Sequence, residues 1–282
     1  MHLNFDFSAV QILWTLTFAA LLVLLVVLIG RERIRRYPWF TATIAMMALR
    51  LVASRLLYGR MAPVVASEIF LALSDVATII ALGVVVEMAR RAFSGAKTAA
   101  WVAGSVLMLA IAGVVLAKWG PWPSIKTLLG ASTLEAMRVM QLFAQKGDLL
   151  ADLLTIQLGV LVVLLGRRFG AGWRSHTQQI VIGLSTASIS QEAVRAIWQE
   201  IAIHTTIHST DEYTRAMNLQ EKFYNANNVV YIAVLAWWIL CLWFDEPGAV
   251  KAVNSGQEAA DSETPAPKIK DDSTGADTAT DY

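Results

Sequence analysis

Glu68 and Asp75 lie within SEIFLALSDVATIIALGVVVEMARR (67–91), a stretch otherwise apolar enough to cross a membrane. Their spacing, two helical turns, places both carboxylates on nearly the same face of one helix. A second run, TATIAMMALRLVASRLL, carries Arg50, and charge pairing is the cheapest way to hold such groups in a membrane. Further on, Ser185, Ser188, Glu192, Arg195 and Gln199 recur every three or four residues, which makes one polar stripe on a helix. Asp148, Asp152, Thr155 and Gln157 open another apolar run, and Asn225, Asn227 and Asn228 open the last. Carboxylates, guanidinium and amides grouped this way can bind a small polar or charged ligand, or pass a proton.

Composition sets the solvent these groups sit in. The 282-residue chain is 56% hydrophobic and 16% charged, more apolar surface than a water-soluble core of this size hides. A mean hydropathy of +0.53 agrees. Net charge is +1, and no zinc-finger, RNA-binding or phosphate-loop pattern appears, so nucleic acid is not an expected partner. The single cysteine, Cys241, permits no internal disulfide and reads as a packing or lipid-facing residue.

A spanning helix needs roughly 20 apolar residues. Stretches at about 8–30, 38–58, 64–89, 98–117, 149–166, 177–200 and 225–244 qualify, the sixth only if its polar residues face other helices. The expected fold is an all-α, polytopic seven-transmembrane-helix bundle occupying 1–247. Arg31, Arg33, Arg35 and Arg36, then Arg90, Arg91 and Lys97, then Arg167, Arg168 and Arg174 crowd three short connections. Positive charge in short connections marks the cytoplasmic side, so the N-terminus is expected outside and the C-terminus inside. The leader MHLNFDFS lacks the basic segment of a signal peptide, and RERIRR follows the first run like a stop-transfer signal. The expected location is a bacterial cytoplasmic (inner) membrane.

Between the spans, Ser132 with Glu135 and Ser209 with Glu212 have capping-box spacing. Leu134, Met137, Met140 and Phe143 follow the first box at helical intervals, which predicts an amphipathic helix on the outer surface or over the bundle mouth. The second box predicts that the last helix begins well outside the membrane. Residues 248–282 are polar and acidic on balance, and predict a disordered cytoplasmic tail available to a partner.

Depth brings the charges together. Counting 1.5 Å per residue, Arg50 and Asp75 differ in depth by only about 6 Å in a core about 30 Å thick, and their side chains lean toward each other. The sequence therefore predicts an Arg50–Asp75 pair, with Glu68 one level nearer the outside. Nearly all the polar groups fall in the outer half, while the inner half is mostly Leu, Val, Ala and Ile. That asymmetry implies an outward-facing cavity closed below. Its expected ligand-binding residues are Arg50, Glu68, Asp75, Asp152, Gln157, Glu192, Arg195, Asn228 and Trp198, the last as an aromatic platform near the mouth. Most other tryptophans fall near predicted boundaries, as interfacial anchors do.

Other membrane chemistries lack their residues. No lysine lies in any predicted span for a retinal Schiff base, and His2, His176, His204 and His208 all fall outside spans or at their edges, away from any intramembrane zinc site. His204 and His208 in HTTIH have zinc-clamp spacing, but no glutamate follows the first as in a metalloprotease motif, so they read as loop histidines. The triplet GLS (183–185) has no histidine partner in a span, which leaves an intramembrane hydrolase without a base. No cofactor, metal or catalytic residue is expected. The sequence points first to a membrane sensor or binding protein receiving a small polar or charged ligand from the outer side, reporting to a separate cytoplasmic partner through loops and tail. A small transporter or proton-coupled channel comes second, and an accessory subunit of a membrane complex third.

Overall fold

The computed structural model describes residues 9–57, 60–94, 98–119, 122, 133–165, 175–204 and 209–245. The described helices all fall within one compact unit, which ends at Phe244. The predicted tail at 248–282 lies outside the described residues, as do Ser132 and His208.

Among the described residues the chain is all-α, with seven helices: α1 (Ala9–Gly30), α2 (Pro38–Leu57), α3 (Pro63–Ala92), α4 (Thr98–Lys118), α5 (Thr133–Leu165), α6 (His176–His204) and α7 (Thr210–Trp243). Five are long and apolar enough to cross a membrane: α1, α2, α3, α5 and α7. α4 offers the shorter apolar stretch Val102–Lys118. α6, with its polar stripe, is not among the five. In these five, only 17% to 33% of the most apolar window is buried against the rest of the protein, so most of the apolar surface faces outward. Val26, Ile79, Val106, Leu164 and Leu240 are each at least 60% exposed, a surface suited to lipid.

Neighbouring helices close a ring in the order α1, α2, α3, α5, α6, α7 and back to α1, while α3 also touches α6 and α4 rests on α5. The turn from α1 to α2 is a Schellman cap: Arg33 N–H donates to Leu28 O at 2.9 Å and Glu32 N–H to Ile29 O at 3.0 Å. Glu32 takes the left-handed position of that cap, φ 52°, where glycine is usual. The turn is short, so α1 and α2 run antiparallel and their arginines gather at one end of the bundle, here termed the basic end.

The helix predicted at 149–166 begins much earlier. α5 is one helix of 33 residues, so the predicted surface helix and span are continuous. Contacts from neighbours carry it through its polar middle. Lys146 Nζ donates to Leu116 O at 3.2 Å and also to Trp119 O, satisfying carbonyls at the end of α4, and Thr78 Oγ1 donates to Asp148 Oδ1 at 2.6 Å. Ser209 forms an N-cap: Glu212 N–H donates to Ser209 Oγ at 3.2 Å and opens a 34-residue α7. At 1.5 Å per residue α5 and α7 extend about 50 Å, well beyond a hydrocarbon core of about 30 Å.

The tightest packing is toward the basic end. Leu21, Leu24 and Leu28 of α1, Phe40 and Ile44 of α2, Met88 of α3, Leu158 and Val162 of α5, Ile180 and Val181 of α6, and Leu235, Trp238 and Leu242 of α7 form one buried cluster. These positions fill the last half of each helix arriving at that end and the first half of each leaving it. The opposite end has no comparable cluster of large buried side chains among the described residues.

Candidate functional site

Above that cluster, five helices surround a cavity of about 120 Å³. Thr43 and Met47 come from α2, Ala81 and Val84 from α3, Asp152 and Thr155 from α5, Ser188 and Gln191 from α6, and Asn227, Tyr231 and Trp238 from α7. Trp238 forms the floor, 1% exposed and edge-on to Phe40 with ring centroids 5.1 Å apart. Trp238 lies about 8 Å along α7 from the basic end and Asn227 about 24 Å, so the cavity runs from deep in the bundle to past its middle.

Close helix approach shapes the walls. A Cβ at Gly183 would collide with the Trp238 indole, and one at Gly159 with Ser185 Oγ. Small residues here let α6 approach α7 on one side and α5 on the other. Ser185 Oγ lies 2.8 Å from Val181 O and 2.9 Å from Thr155 O, so the hydroxyl is satisfied by backbone. Tyr231 is likewise engaged, its hydroxyl donating to Met47 Sδ at 2.7 Å.

Asp152 is different. Ser188 Oγ donates to Oδ1 at 2.8 Å, but Oδ2 is buried without a hydrogen-bond partner. The nearest cation, Arg195, holds Glu192 Oε1 at 2.6 Å and lies 4.0 Å from Asp152 Oδ2. Arg195 is thus committed to Glu192, one helical turn away on α6. Two carboxylates share one guanidinium, and the acceptor left over borders the cavity. Beside it, Ser190 Oγ donates to Asn227 Oδ1 at 2.7 Å and orients that amide.

Of the residues expected from sequence, Asp152, Glu192 and Arg195 come together, with Asp152 in the cavity wall. Asn228 is exposed, and its neighbour Asn227 lines the cavity instead. Gln157 is half-buried with Oε1 unpartnered and Trp198 is half-buried, but neither lines the cavity. Arg50 and Asp75 do not form an ion pair among the described residues: the Arg50 guanidinium sits 5.9 Å from the centroid of the Phe70 ring, and Asp75 lies in the field of Asp148. Glu68 is exposed. Similar depth did not bring these three into one site, because depth leaves the direction around the helix axis open.

The basic end is more polar than the sequence implies. Arg33 and His176, 7% and 3% exposed, meet there although they are far apart in the chain. Arg33 Nη2 donates to Phe244 O at 2.8 Å, Arg33 Nη1 meets both ring nitrogens of His176, and His176 Nε2 lies 3.1 Å from Phe244 O. A neutral His176 fits this arrangement, with Nε2–H donating to Phe244 O and Nδ1 accepting from Arg33. Nearby, Tyr37 Oη and Thr177 Oγ1 are 3.2 Å apart, and Glu87 Oε2 accepts the Phe40 N–H at 3.1 Å, capping the start of α2. These bonds tie α1, α2, α3, α6 and α7 together below the cavity floor.

Among the described residues no group of three or more His, Cys, Asp or Glu is placed to hold a metal ion. The side chains of His204 and His208 fall outside the description. No protein-family model, curated protein or solved structure matches the chain, so the functional reading rests on the chemistry of the site itself.

Proposed function

We propose that this chain is an integral membrane sensor or binding protein, a seven-helix bundle whose cavity takes a small cationic or hydrogen-bond-donating ligand from the outer side. The observation that carries the reading is Asp152 Oδ2, a buried carboxylate oxygen in a cavity wall with no hydrogen-bond partner. Leaving such an acceptor unsatisfied costs on the order of 1–3 kcal/mol or more, which a donor entering the cavity would recover. Size narrows the class. A volume of about 120 Å³ equals the liquid volume of about four waters, enough for a hydrated monovalent cation or a short alkylammonium. It is well below the few hundred Å³ typical of drug-sized ligands.

The arginines gathered at the basic end support an orientation with that end in the cytoplasm and the cavity mouth outside. The Trp238–Phe40 floor and the Arg33–His176 knot stand between the cavity and the basic end. This favours binding over a through-path. The signal would then leave through the cytoplasmic loops and tail to a separate partner.

Purified protein in nanodiscs tests the reading with methylammonium, sodium and potassium as probes. At least one should raise the melting temperature in the wild type, since a ligand that binds only the folded state stabilises it. The same probe should have no effect on Asp152→Asn. Absence of any shift, or an equal shift in the variant, would remove the cavity from the proposal. Probe flux into liposomes would replace the sensor with a transporter. Cysteines placed at Ser94 and Ser132 should label from opposite faces of the membrane, Ser94 from the cytoplasm, and same-side labelling would overturn the topology.

A further inference from the structure

While Ala81 and Val84 of α3 line the Asp152 cavity, Leu82, Gly83 and Val86 of the same stretch line a second concavity, of about 530 Å³, on the side of the bundle between the start of α2 and the end of α3. Its walls are Trp39, Leu82 and Val86, with Trp39 45% and Val86 50% exposed. The Trp39 ring lies directly on Gly83, where a Cβ would collide with it, so the groove floor depends on that glycine. Arg90 and Arg91 stand at its edge nearest the basic end, in the last turn of α3.

The charges of the groove do not cancel. Glu87, 8% exposed, is turned inward, where its Oε2 accepts the Phe40 N–H at the positive end of α2. Its other oxygen, Oε1, is 3.5 Å from Arg91, a long contact. Arg91 otherwise faces the Tyr37 ring at 4.9 Å, and its Nε is buried without a hydrogen-bond partner. Arg90 is exposed and makes no ion pair or hydrogen bond among the described residues. Two guanidiniums therefore face one carboxylate that is already engaged by backbone. From Arg91 to Leu82 the groove runs about 14 Å along the helix axis, the distance from lipid phosphate level into the acyl region of a bilayer core about 30 Å thick.

We propose that this groove binds an anionic phospholipid, with its phosphate between Arg90 and Arg91 and one acyl chain along Trp39, Leu82 and Val86. Guanidinium groups suit phosphate because they offer several donors in a fixed plane. Basic concavities between membrane helices are where acidic headgroups bind. The apolar wall beyond the arginines adds a requirement for a chain that a free anion cannot meet.

The test uses the full chain in neutral detergent, titrated with phosphatidylglycerol or phosphatidylcholine of identical chains and read by native mass spectrometry and by melting temperature. Phosphatidylglycerol should bind more tightly than phosphatidylcholine. Arg90→Gln should weaken it about fivefold, and this exposed, unpaired residue can change without disturbing the fold. Val86→Trp, which fills the groove and leaves both arginines in place, should weaken binding of the same lipid at least as much. Equal affinity for the two lipids, or undiminished phosphatidylglycerol binding in both variants, would overturn the proposal. So would competition by millimolar inorganic phosphate together with a phosphate-induced rise in melting temperature, which would make the arginines a site for the free anion.

Discussion

Arg33 and Asp152 are both charged and both largely enclosed, and each keeps one buried polar atom, Nε and Oδ2, without a hydrogen bond. That of Asp152 borders a cavity, while Arg33 is held by the fold through its other nitrogens. Arg33 reaches His176 and Phe244 O, and with the Tyr37–Thr177 contact and the Glu87 cap it joins five helices at the basic end. Asp152 keeps one oxygen without a hydrogen bond beside a cavity. A buried polar group whose partners are supplied by the fold stabilises that fold, whereas one lacking a partner weakens it unless something else binds. The difference separates architecture from site more sharply than charge or depth does. Packing follows the same division: the buried cluster fills the basic half, and the cavity occupies the bundle above it.

The largest expected effect is therefore at the basic end. Arg33→Met should destabilise the detergent-solubilised protein by about 3 kcal/mol, because it leaves His176 and the Phe244 carbonyl without a charged donor in a buried place. Denaturant or thermal unfolding measures it. Cation binding at the cavity should survive in the fraction that remains folded. A loss below about 1 kcal/mol would mean that water readily replaces the guanidinium, and the contrast between the two ends would weaken.

Much of this arrangement is legible in the sequence, and the parts that are not share a cause. The α6 stripe is readable because helical periodicity fixes which residues share a face, and Ser188, Glu192 and Arg195 do act on one side. The Ser209 cap is readable because its donor and acceptor are three residues apart. The Arg33–His176 contact is not: its partners are 143 residues apart, Arg33 in a connection and His176 at the first residue of α6, where periodicity carries little information. Asn227 and Asn228 differ by about 100° around α7, so the apolar pattern near the helix start could not decide which faces inward. The early start of α5 was hidden for the same reason, since Lys146 and Asp148 look like loop residues until α4 and α3 supply their partners.

A smaller effect of opposite sign is expected in the α1–α2 turn. Glu32 holds the left-handed position of the Schellman cap at φ 52°, a conformation that costs a residue with a Cβ about 1 kcal/mol. Glu32→Gly should raise stability by about 0.5–1 kcal/mol, somewhat reduced by glycine's greater freedom in the unfolded chain. The gain should appear in unfolding of the wild-type background. It should shrink in the Arg33→Met variant, where the turn is no longer fastened to α6 and α7, because neighbouring sites that share a backbone segment do not add. Full additivity would show that the turn forms independently of the knot.

The smallest expected effect is a coupling near zero between Arg50 and Asp75, the two charges that depth alone would pair. In the structure Arg50 lies over the Phe70 ring and Asp75 in the field of Asp148, so neither neutralises the other directly. Arg50→Gln removes a cation–π contact. Asp75→Asn removes one of two neighbouring negative charges. The double variant should therefore change stability by the sum of the single changes to within about 0.5 kcal/mol, measured by a double-mutant cycle on purified protein. A coupling of about 3 kcal/mol, the scale of a broken buried pair, would show that the two side chains meet within the membrane. It would also extend the group of interacting charges beyond Asp152, Glu192 and Arg195 to α2 and α3, and a ligand's charge in the cavity would then be felt on those helices as well.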